Sequence, residues 1–202
     1  AGLEFQPYAR LILWPNGGSV SVRHERFNAR ARARAARRAM NVPQLSRTVA
    51  LVGLMGAGKT SIGRRLAQDL GLPFADADTE IEQAAGQSIE DIFERHGEAF
   101  FRDGERRVIA RLLDGPPHVL ATGGGAFMDP STRALLRERA ITIWIKADIE
   151  ILLSRVARRN HRPLLKHGDK RAILEKLMAE RYPIYAEATF TVDSGDGPPE
   201  DV

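Results

Sequence analysis

The chain carries the stretch Val-Ala-Leu-Val-Gly-Leu-Met-Gly-Ala-Gly-Lys-Thr at residues 49–60. Its first four residues form a short apolar run typical of a buried strand, and residues 53–60 match the phosphate-binding loop pattern G-x-x-x-x-G-K-[ST] in full. Residues 61–70 continue as a predicted helix. This order predicts a loop whose backbone N–H groups surround a polyphosphate at a helix N-terminus. A chance glycine-rich turn ending in Lys-Thr is the competing interpretation, and the flanking strand and helix argue against it.

Each position of the loop has an expected role toward a nucleotide. Lys59 is expected to reach the β- and γ-phosphates, and the Thr60 hydroxyl is expected to ligate magnesium. The residues expected to contact the nucleotide in this segment are Gly56, Ala57, Gly58, Lys59, Thr60 and Ser61. The loop specifies a nucleotide but not the reaction, so the acceptor must be inferred from other residues.

Composition narrows the classes of protein that the chain can represent. Its 202 residues suffice for one domain with a sizeable core. The absence of cysteine excludes a disulfide framework, a thiolate metal site and a cysteine nucleophile, and it suits a reducing cytosol. No apolar stretch is long enough to span a bilayer. We therefore expect a cytoplasmic protein with no membrane partner.

The positive charge is concentrated at the beginning of the chain. The net charge is +4, yet residues 1–40 hold eight arginines against two glutamates, a balance of +6 that leaves −2 for the rest. We expect residues 1–45 to be a disordered Arg-rich extension. A nucleic-acid-binding arm, a targeting peptide and an upstream extension of a shorter enzyme remain open, and scarce Ser and Thr argue against targeting. Because Met40 is the first methionine, we expect an enzyme that could begin there, with residues 1–39 dispensable.

From residue 49 onward, short apolar runs alternate with amphipathic helical stretches. The predicted strands are 49–53, 73–76, 118–121, 141–145 and 189–192. The predicted helices are 59–70, 78–85, 88–96, 97–113, 130–137, 148–157 and 169–187. This alternation predicts an α/β fold with a doubly wound parallel sheet, in which ligands bind beyond the carboxyl ends of the strands.

Two motifs could bind an acceptor. One follows the second predicted strand, and the other lies on the predicted helix 97–113. Asp76 and Asp78 stand two positions apart at a strand end and could serve magnesium and a substrate hydroxyl. The alternative is that Asp78 merely caps the next helix. Arg102 and Glu105 lie three apart and share a helix face, although such a pair on its own is an ordinary surface ion pair.

Three further motifs lie later in the chain. Gly123, Gly124 and Gly125 directly follow a strand, where three glycines favour close approach of a ligand to the backbone, with a flexible hairpin as the alternative. Residues 155–165 form a basic, turn-rich stretch that could fold over ATP, although a solvated basic loop is the default interpretation. Arg181 near the end of the last helix could hold an anionic substrate.

Together these motifs resemble those of shikimate kinase. The resemblance covers about residues 46–193 and keeps the order and spacing of the family, and only the phosphate loop is specific by itself. It implies a three-layer α/β/α P-loop kinase with a five-stranded parallel sheet. It also implies a kinase domain at 46–195 with a lid at about 158–168, followed by a disordered tail at 196–202.

The resemblance implies a role for each matching residue. Asp78 would contact the ring hydroxyls of shikimate and act as the base for the 3-hydroxyl. Arg102, Arg181 and the backbone at Gly124, within the substrate-binding segment 123–125, would hold the shikimate carboxylate. Glu105 would orient Arg102.

On the donor side, the resemblance implies that Asp76 acts on magnesium through water. Arg162 would contact the phosphates from the lid, and Arg155 matches a position that packs on adenine. The implied catalytic residues are Lys59, Asp78 and Arg162.

The implied activity is transfer of the γ-phosphoryl of ATP to the 3-hydroxyl of shikimate, with ATP and Mg²⁺, in chorismate and aromatic amino-acid biosynthesis. The alternatives are gluconate kinase or an adenylate-kinase-like enzyme, and a catalytically silent nucleotide-binding module docked by its basic extension. No nucleic-acid partner is expected, and a monomer is the plain expectation.

Overall fold

The structure, a computed structural model, describes residues 45–157, 169–197 and 202. The predictions for the segment before Leu45, for the lid at 158–168 with Arg162, and for most of the tail fall outside those residues. The helices and strands of the described residues are β1 (Thr48–Val52), α1 (Lys59–Leu70), β2 (Phe74–Asp76), α2 (Ala77–Ala85), α3 (Ile89–Leu113), β3 (Val119–Ala121), α4 (Pro130–Arg139), β4 (Ala140–Lys146), α5 (Ile149–Ala157), α6 (Lys170–Tyr185) and β5 (Phe190–Asp193), with a 3₁₀ turn at Ala126–Met128.

The strands form one five-stranded sheet in the order β2-β3-β1-β4-β5, and every pair is parallel. This confirms the predicted α/β class. Strand β1 lies in the middle and is buried along its whole length. The chain builds β2 and β3 on one side of β1 and then crosses to β4 on the other. Such a switch in strand order opens a crevice at the carboxyl ends of the strands, where the loops after β1 and β3 emerge.

Apolar side chains from the helices cover the sheet. The largest fully buried side chains include Leu51, Phe127, Leu136, Leu152 and Tyr185. Helix α1 packs closely on the sheet at Gly63, where an added Cβ would lie 2.7 Å from the Phe74 ring. A second, smaller cluster joins α2 to α3 through Ile81, Ile92, Phe101 and Val108. This cluster joins the two helices that carry Asp78 and Arg102.

The observed elements agree with the predicted ones within one or two residues at each end. The predicted helices 88–96 and 97–113 form the single helix α3, which is interrupted at Gly97 (φ 80°, ψ 174°) where the two were expected to meet. The 3₁₀ turn at 126–128 was not predicted. None of the helices in the described part of the chain is both long and apolar enough to cross a membrane.

Candidate active site

The phosphate-binding loop connects β1 to α1. Gly56 (φ 84°) and Gly58 (φ 101°) adopt the left-handed conformation, which glycine enters without steric cost. An added Cβ at Gly56 would lie 3.1 Å from Val156 of α5, so the loop packs tightly against that helix. The Lys59 ammonium donates to the Gly53 carbonyl at 2.8 Å and to the Leu54 carbonyl at 3.0 Å. The lysine charge therefore lies directly over the loop.

Arg155 lies against the loop and ties it to the segment after β5. Its guanidinium donates to the Ala57 carbonyl at 3.2 Å, to the Ser194 hydroxyl at 3.0 Å and to the Gly195 carbonyl. It also reaches the Gly56 carbonyl at 3.4 Å. The residue predicted to pack on adenine is thus a structural partner of the loop itself, a contact that the sequence did not indicate.

Thr60 and Asp76 meet where α1 begins and β2 ends. The Thr60 hydroxyl donates to Asp76 Oδ2 at 2.8 Å. Magnesium in nucleotide sites is held by one or two protein oxygens together with phosphate oxygens and water. One hydroxyl and one carboxylate beside a phosphate loop fit that donor set. No cluster of three or more His, Cys, Asp or Glu side chains arranged for a metal occurs in the part of the chain that the structure describes, and a nucleotide-bound Mg²⁺ does not require one.

Asp76, and not Asp78, caps helix α2. The helix begins at Ala77, and Asp76 Oδ1 accepts the Asp78 backbone N–H at 3.1 Å. The alternative interpretation of Asp78 as a mere helix cap is therefore wrong. Asp78 lies in the first turn of α2, is exposed, and directs its carboxylate toward Gly123, where an added Cβ would lie 2.9 Å from Asp78 Oδ1.

Arg102 forms a pair of ion pairs on α3. It bonds Glu105 at 2.7 Å and Glu98 at 3.0 Å. Burial raises the pKa of Glu105, and although Arg102 counteracts this, Asp78 and Asp129 raise the pKa further. Burial lowers the pKa of Arg102, but Glu105 and Glu98 outweigh it and raise the pKa overall. The two pKa values rise for different reasons. Burial dominates for Glu105, whose side chain is only 3% exposed, whereas the ion pairs together dominate for Arg102, whose side chain is 28% exposed.

The Glu105 carboxylate is only half satisfied by hydrogen bonds. Its Oε2 accepts from Arg102, while the buried Oε1 has no hydrogen-bond partner among the residues that the structure describes. The position of Glu105 therefore depends on Arg102, which Glu98 also holds.

The segment 123–125 brings the predicted acceptor residues together. An added Cβ at its first glycine would overlap the carboxylates of Glu105 and Asp78, and one at its third would overlap the Arg102 guanidinium. An added Cβ at its second would lie 3.8 Å from Arg181. Each glycine therefore faces a different site residue, and the first and third leave no room for a side chain.

Helix α6 contributes two donors to this segment. Arg181 donates to the Gly124 carbonyl at 3.1 Å, and the Tyr185 hydroxyl donates to the same oxygen. Tyr185 is fully buried, and burial raises its pKa to about 12. Tyr185 was not among the predicted site residues, although its spacing of four residues from Arg181 places both on one helix face and could have indicated it.

The structure thus assembles most of the predicted site at one sheet edge. Ser61 follows Thr60 in the first turn of α1 and is exposed. Arg162 lies outside the described residues. The predicted residues that lie at the carboxyl ends of β1, β2 and β3 or on the helices beside them are Gly56, Ala57, Gly58, Lys59, Thr60, Asp76, Asp78, Arg102, Gly123, Gly124, Gly125 and Arg181.

Comparison with known proteins shows the family to which the chain belongs. A family model described as shikimate kinase matches residues 55–202. The chain is 62% identical over 157 residues to shikimate kinase of Paramagnetospirillum magneticum, covering 78% of this chain and 80% of that one. It is 60% identical over 156 residues to shikimate kinase of Caulobacter vibrioides, covering 77% and 78%.

A solved structure of a shikimate kinase is also similar to this chain. Shikimate kinase from Acinetobacter baumannii, in complex with shikimate, is 40% identical with a TM-score of 0.75 and covers 77% of this chain and 87% of that one. A gluconokinase from Sinorhizobium meliloti shares the fold at 18% identity and a TM-score of 0.52, covering 79% and 89%. The gluconate kinase alternative is therefore not favoured, and the chain belongs to the shikimate kinase family as an ATP-dependent kinase.

Proposed function

We propose that this chain uses the residues described above to transfer the γ-phosphoryl of ATP to the 3-hydroxyl of shikimate. The main supporting observation is that two carboxylates and two guanidinium groups approach segment 123–125 beside the phosphate loop. A donor site for a polyphosphate and an acceptor site for a carboxylated polyol then share one crevice. The complex of the Acinetobacter baumannii enzyme with shikimate supports this choice of acceptor.

On the donor side, Lys59 and the loop N–H groups bind the β- and γ-phosphates. Phosphoryl transfer passes through a loose, anionic transition state, so charge neutralisation and alignment account for most of the catalysis. Thr60 and Asp76 would hold Mg²⁺, which when bound neutralises charge on these phosphates. Arg155 keeps the loop in shape through its bonds to the loop carbonyls.

On the acceptor side, Arg102 and Arg181 bind the shikimate carboxylate together with the backbone at Gly124. A planar guanidinium matches a planar carboxylate through two parallel hydrogen bonds. Glu105 fixes Arg102 through its 2.7 Å ion pair. Asp78, whose carboxylate faces the same segment, accepts the proton of the 3-hydroxyl as that oxygen attacks the γ-phosphorus. The bond between the γ-phosphorus and the β,γ-bridging oxygen breaks in the same step, and ADP leaves with that oxygen.

We also propose roles for the lid and for the adenine contact, the bounds of the kinase domain and its state of assembly. Arg162 contacts the phosphates from a lid at about 158–168, and Arg155 also packs on adenine. The kinase domain occupies 46–195 and works as a cytoplasmic monomer without nucleic-acid or membrane partners. Light scattering of the purified full chain tests the monomer.

The acceptor is tested by ADP release from the full chain with shikimate, gluconate and AMP. We expect release with shikimate alone. Release with gluconate or AMP but not with shikimate would overturn the proposal.

The base is tested by Asp78→Asn, with Asp69→Asn on the exposed end of α1 as the matched control. We expect Asp78→Asn to lower kcat by about a hundredfold or more while the control stays near the wild type. Near-normal turnover of Asp78→Asn would show that another group accepts the proton.

The two binding sites are separated by two further variants. Arg102→Ala is expected mainly to raise KM for shikimate, because it removes a carboxylate ligand. Lys59→Ala is expected mainly to lower kcat, because it removes charge neutralisation in the transition state. The reverse pattern would contradict the assignment of the two sites.

A further inference from the structure

The Gly124 carbonyl is held differently from those of its neighbours. The Gly123 carbonyl accepts the Ala126 N–H at 3.2 Å, and the Gly125 carbonyl accepts the Met128 N–H at 3.0 Å. Both are local turn bonds within the loop. The Gly124 carbonyl instead accepts from Arg181 and Tyr185 of helix α6. The orientation of the Gly124–Gly125 peptide therefore depends on side chains from a distant part of the sequence.

Tyr185 is suited to hold this peptide without contacting substrate. Its side chain is fully buried, with its ring near those of Phe127, Trp144 and Tyr182 at centroid distances of 6.5, 6.0 and 6.4 Å. A phenol so enclosed has its hydroxyl fixed by the packing of its ring. It also remains protonated, and so a donor, throughout the neutral range, because burial raises its pKa to about 12.

Arg181 shares the same acceptor but has a second task in the proposed function. When it turns its donors toward the shikimate carboxylate, the Gly124 carbonyl would lose one of its two hydrogen bonds. The Gly124 carbonyl is partly buried, and leaving such a carbonyl without any donor costs free energy. The Tyr185 hydroxyl removes that cost, because it keeps the carbonyl satisfied while the arginine binds substrate.

We propose that Tyr185 is a positioning residue of the carboxylate site, which orients the Gly124–Gly125 peptide and releases Arg181 to bind the substrate carboxylate. This inference rests on the proposed function. It predicts that removing the Tyr185 hydroxyl weakens the binding of shikimate, because the contacts to the shikimate carboxylate are disturbed. The binding of ATP should not change.

Helix α6 offers a matched control. Tyr182 lies one turn before Tyr185, and its hydroxyl donates to the Ala147 carbonyl at 2.6 Å in the loop after β4. Tyr182→Phe and Tyr185→Phe each remove one hydroxyl-to-backbone bond from the same helix. Only the second removes it from segment 123–125.

The experiment compares steady-state kinetics of the wild type and both variants with shikimate and with its methyl ester. Tyr185→Phe is expected to raise KM for shikimate about five- to twentyfold, with kcat and KM for ATP within about twofold of the wild type. Its effect on kcat/KM for the ester should be less than about twofold, because the ester lacks the charge that Arg181 binds. Tyr182→Phe should leave KM for shikimate within about twofold.

Equal effects of the two variants, an equal loss with acid and ester, or no change in Tyr185→Phe would each overturn the inference. A wild type inactive on shikimate would instead overturn the proposed function. Should Tyr185→Phe not fold, the carbon-13 chemical shift of the Gly124 carbonyl in the wild type gives a second test. A shift typical of a hydrogen-bonded carbonyl that persists when shikimate is added supports the inference, and loss of that shift on addition contradicts it, because Tyr185 would then not keep the carbonyl hydrogen-bonded.

Discussion

Replacing Gly123 by alanine should damage both the fold and the acceptor site. The backbone of segment 123–125 has no positive φ, so an alanine is conformationally allowed there. The obstacle is steric, because the new methyl would overlap the Glu105 carboxylate and lie 2.9 Å from Asp78 Oδ1. The Glu105 side chain is only 3% exposed and is held by a 2.7 Å ion pair with Arg102, so moving its carboxylate away from the methyl strains that pair.

The magnitude follows from the closeness of this packing. Overpacking of an interior by one methyl group costs about 1–3 kcal/mol, and a value near 2 kcal/mol lowers Tm by about 4–8 °C in a domain of this size. The displaced Glu105 no longer orients Arg102, so KM for shikimate should rise about tenfold or more.

Gly124→Ala is the matched control for stability. The nearest atom to its added Cβ is the Met55 nitrogen at 3.5 Å, an ordinary contact. Its Tm should therefore stay within about 2 °C of the wild type. Thermal unfolding of both variants, followed by circular dichroism, measures this difference in Tm. If Gly123→Ala were as stable as Gly124→Ala, the close approach of the two carboxylates to Gly123 would be refuted.

Three other outcomes are expected. Because the folded-state pKa of Glu105 lies above its ordinary value of 4.5, ionising this carboxyl costs folding free energy as pH rises. The Tm of Glu105→Gln relative to wild type should accordingly increase from pH 4 to pH 7, and a flat difference would contradict the burial argument. Gly63→Ala should lower Tm because its Cβ would lie 2.7 Å from the Phe74 ring, whereas Gly104→Ala, with open space around it, should gain up to about 1 kcal/mol from helix propensity; equal shifts in the two would refute the packing argument. Deleting residues 1–39 should leave kcat and KM near those of the full chain, and a large fall in turnover would show that the extension contributes to the enzyme.

Local sequence patterns predicted most of the helices and strands and their order. Alternation of apolar strands with amphipathic helices gave the element order, and the predicted break at Gly97 coincides with the one non-helical residue found inside α3. Turn chemistry was harder to predict. The 3₁₀ turn at 126–128 lacks a distinctive period, and its bonds to the carbonyls of segment 123–125 depend on how that segment is held.

The two aspartates show the limit of local patterns. A helix-cap role was considered for Asp78 only, although an aspartate at either position suits a cap. The structure assigns the cap to Asp76, which also accepts from Thr60 on another helix. That second bond joins residues 16 positions apart, and no local pattern encodes it.

The sequence by itself determined the phosphate loop and the parallel sheet, because these depend on spacing within short segments, whereas the residues of the acceptor site are predicted from the resemblance to the family's motifs. Tertiary structure alone decided which groups meet. Arg155 became a partner of the phosphate loop, and Tyr185 became a partner of Gly124 across 61 positions of the chain. Such contacts arise when α5 and α6 pack against the sheet, because buried polar groups must then find hydrogen-bond partners nearby in space. These partners are far apart in the sequence, so no local pattern predicts them.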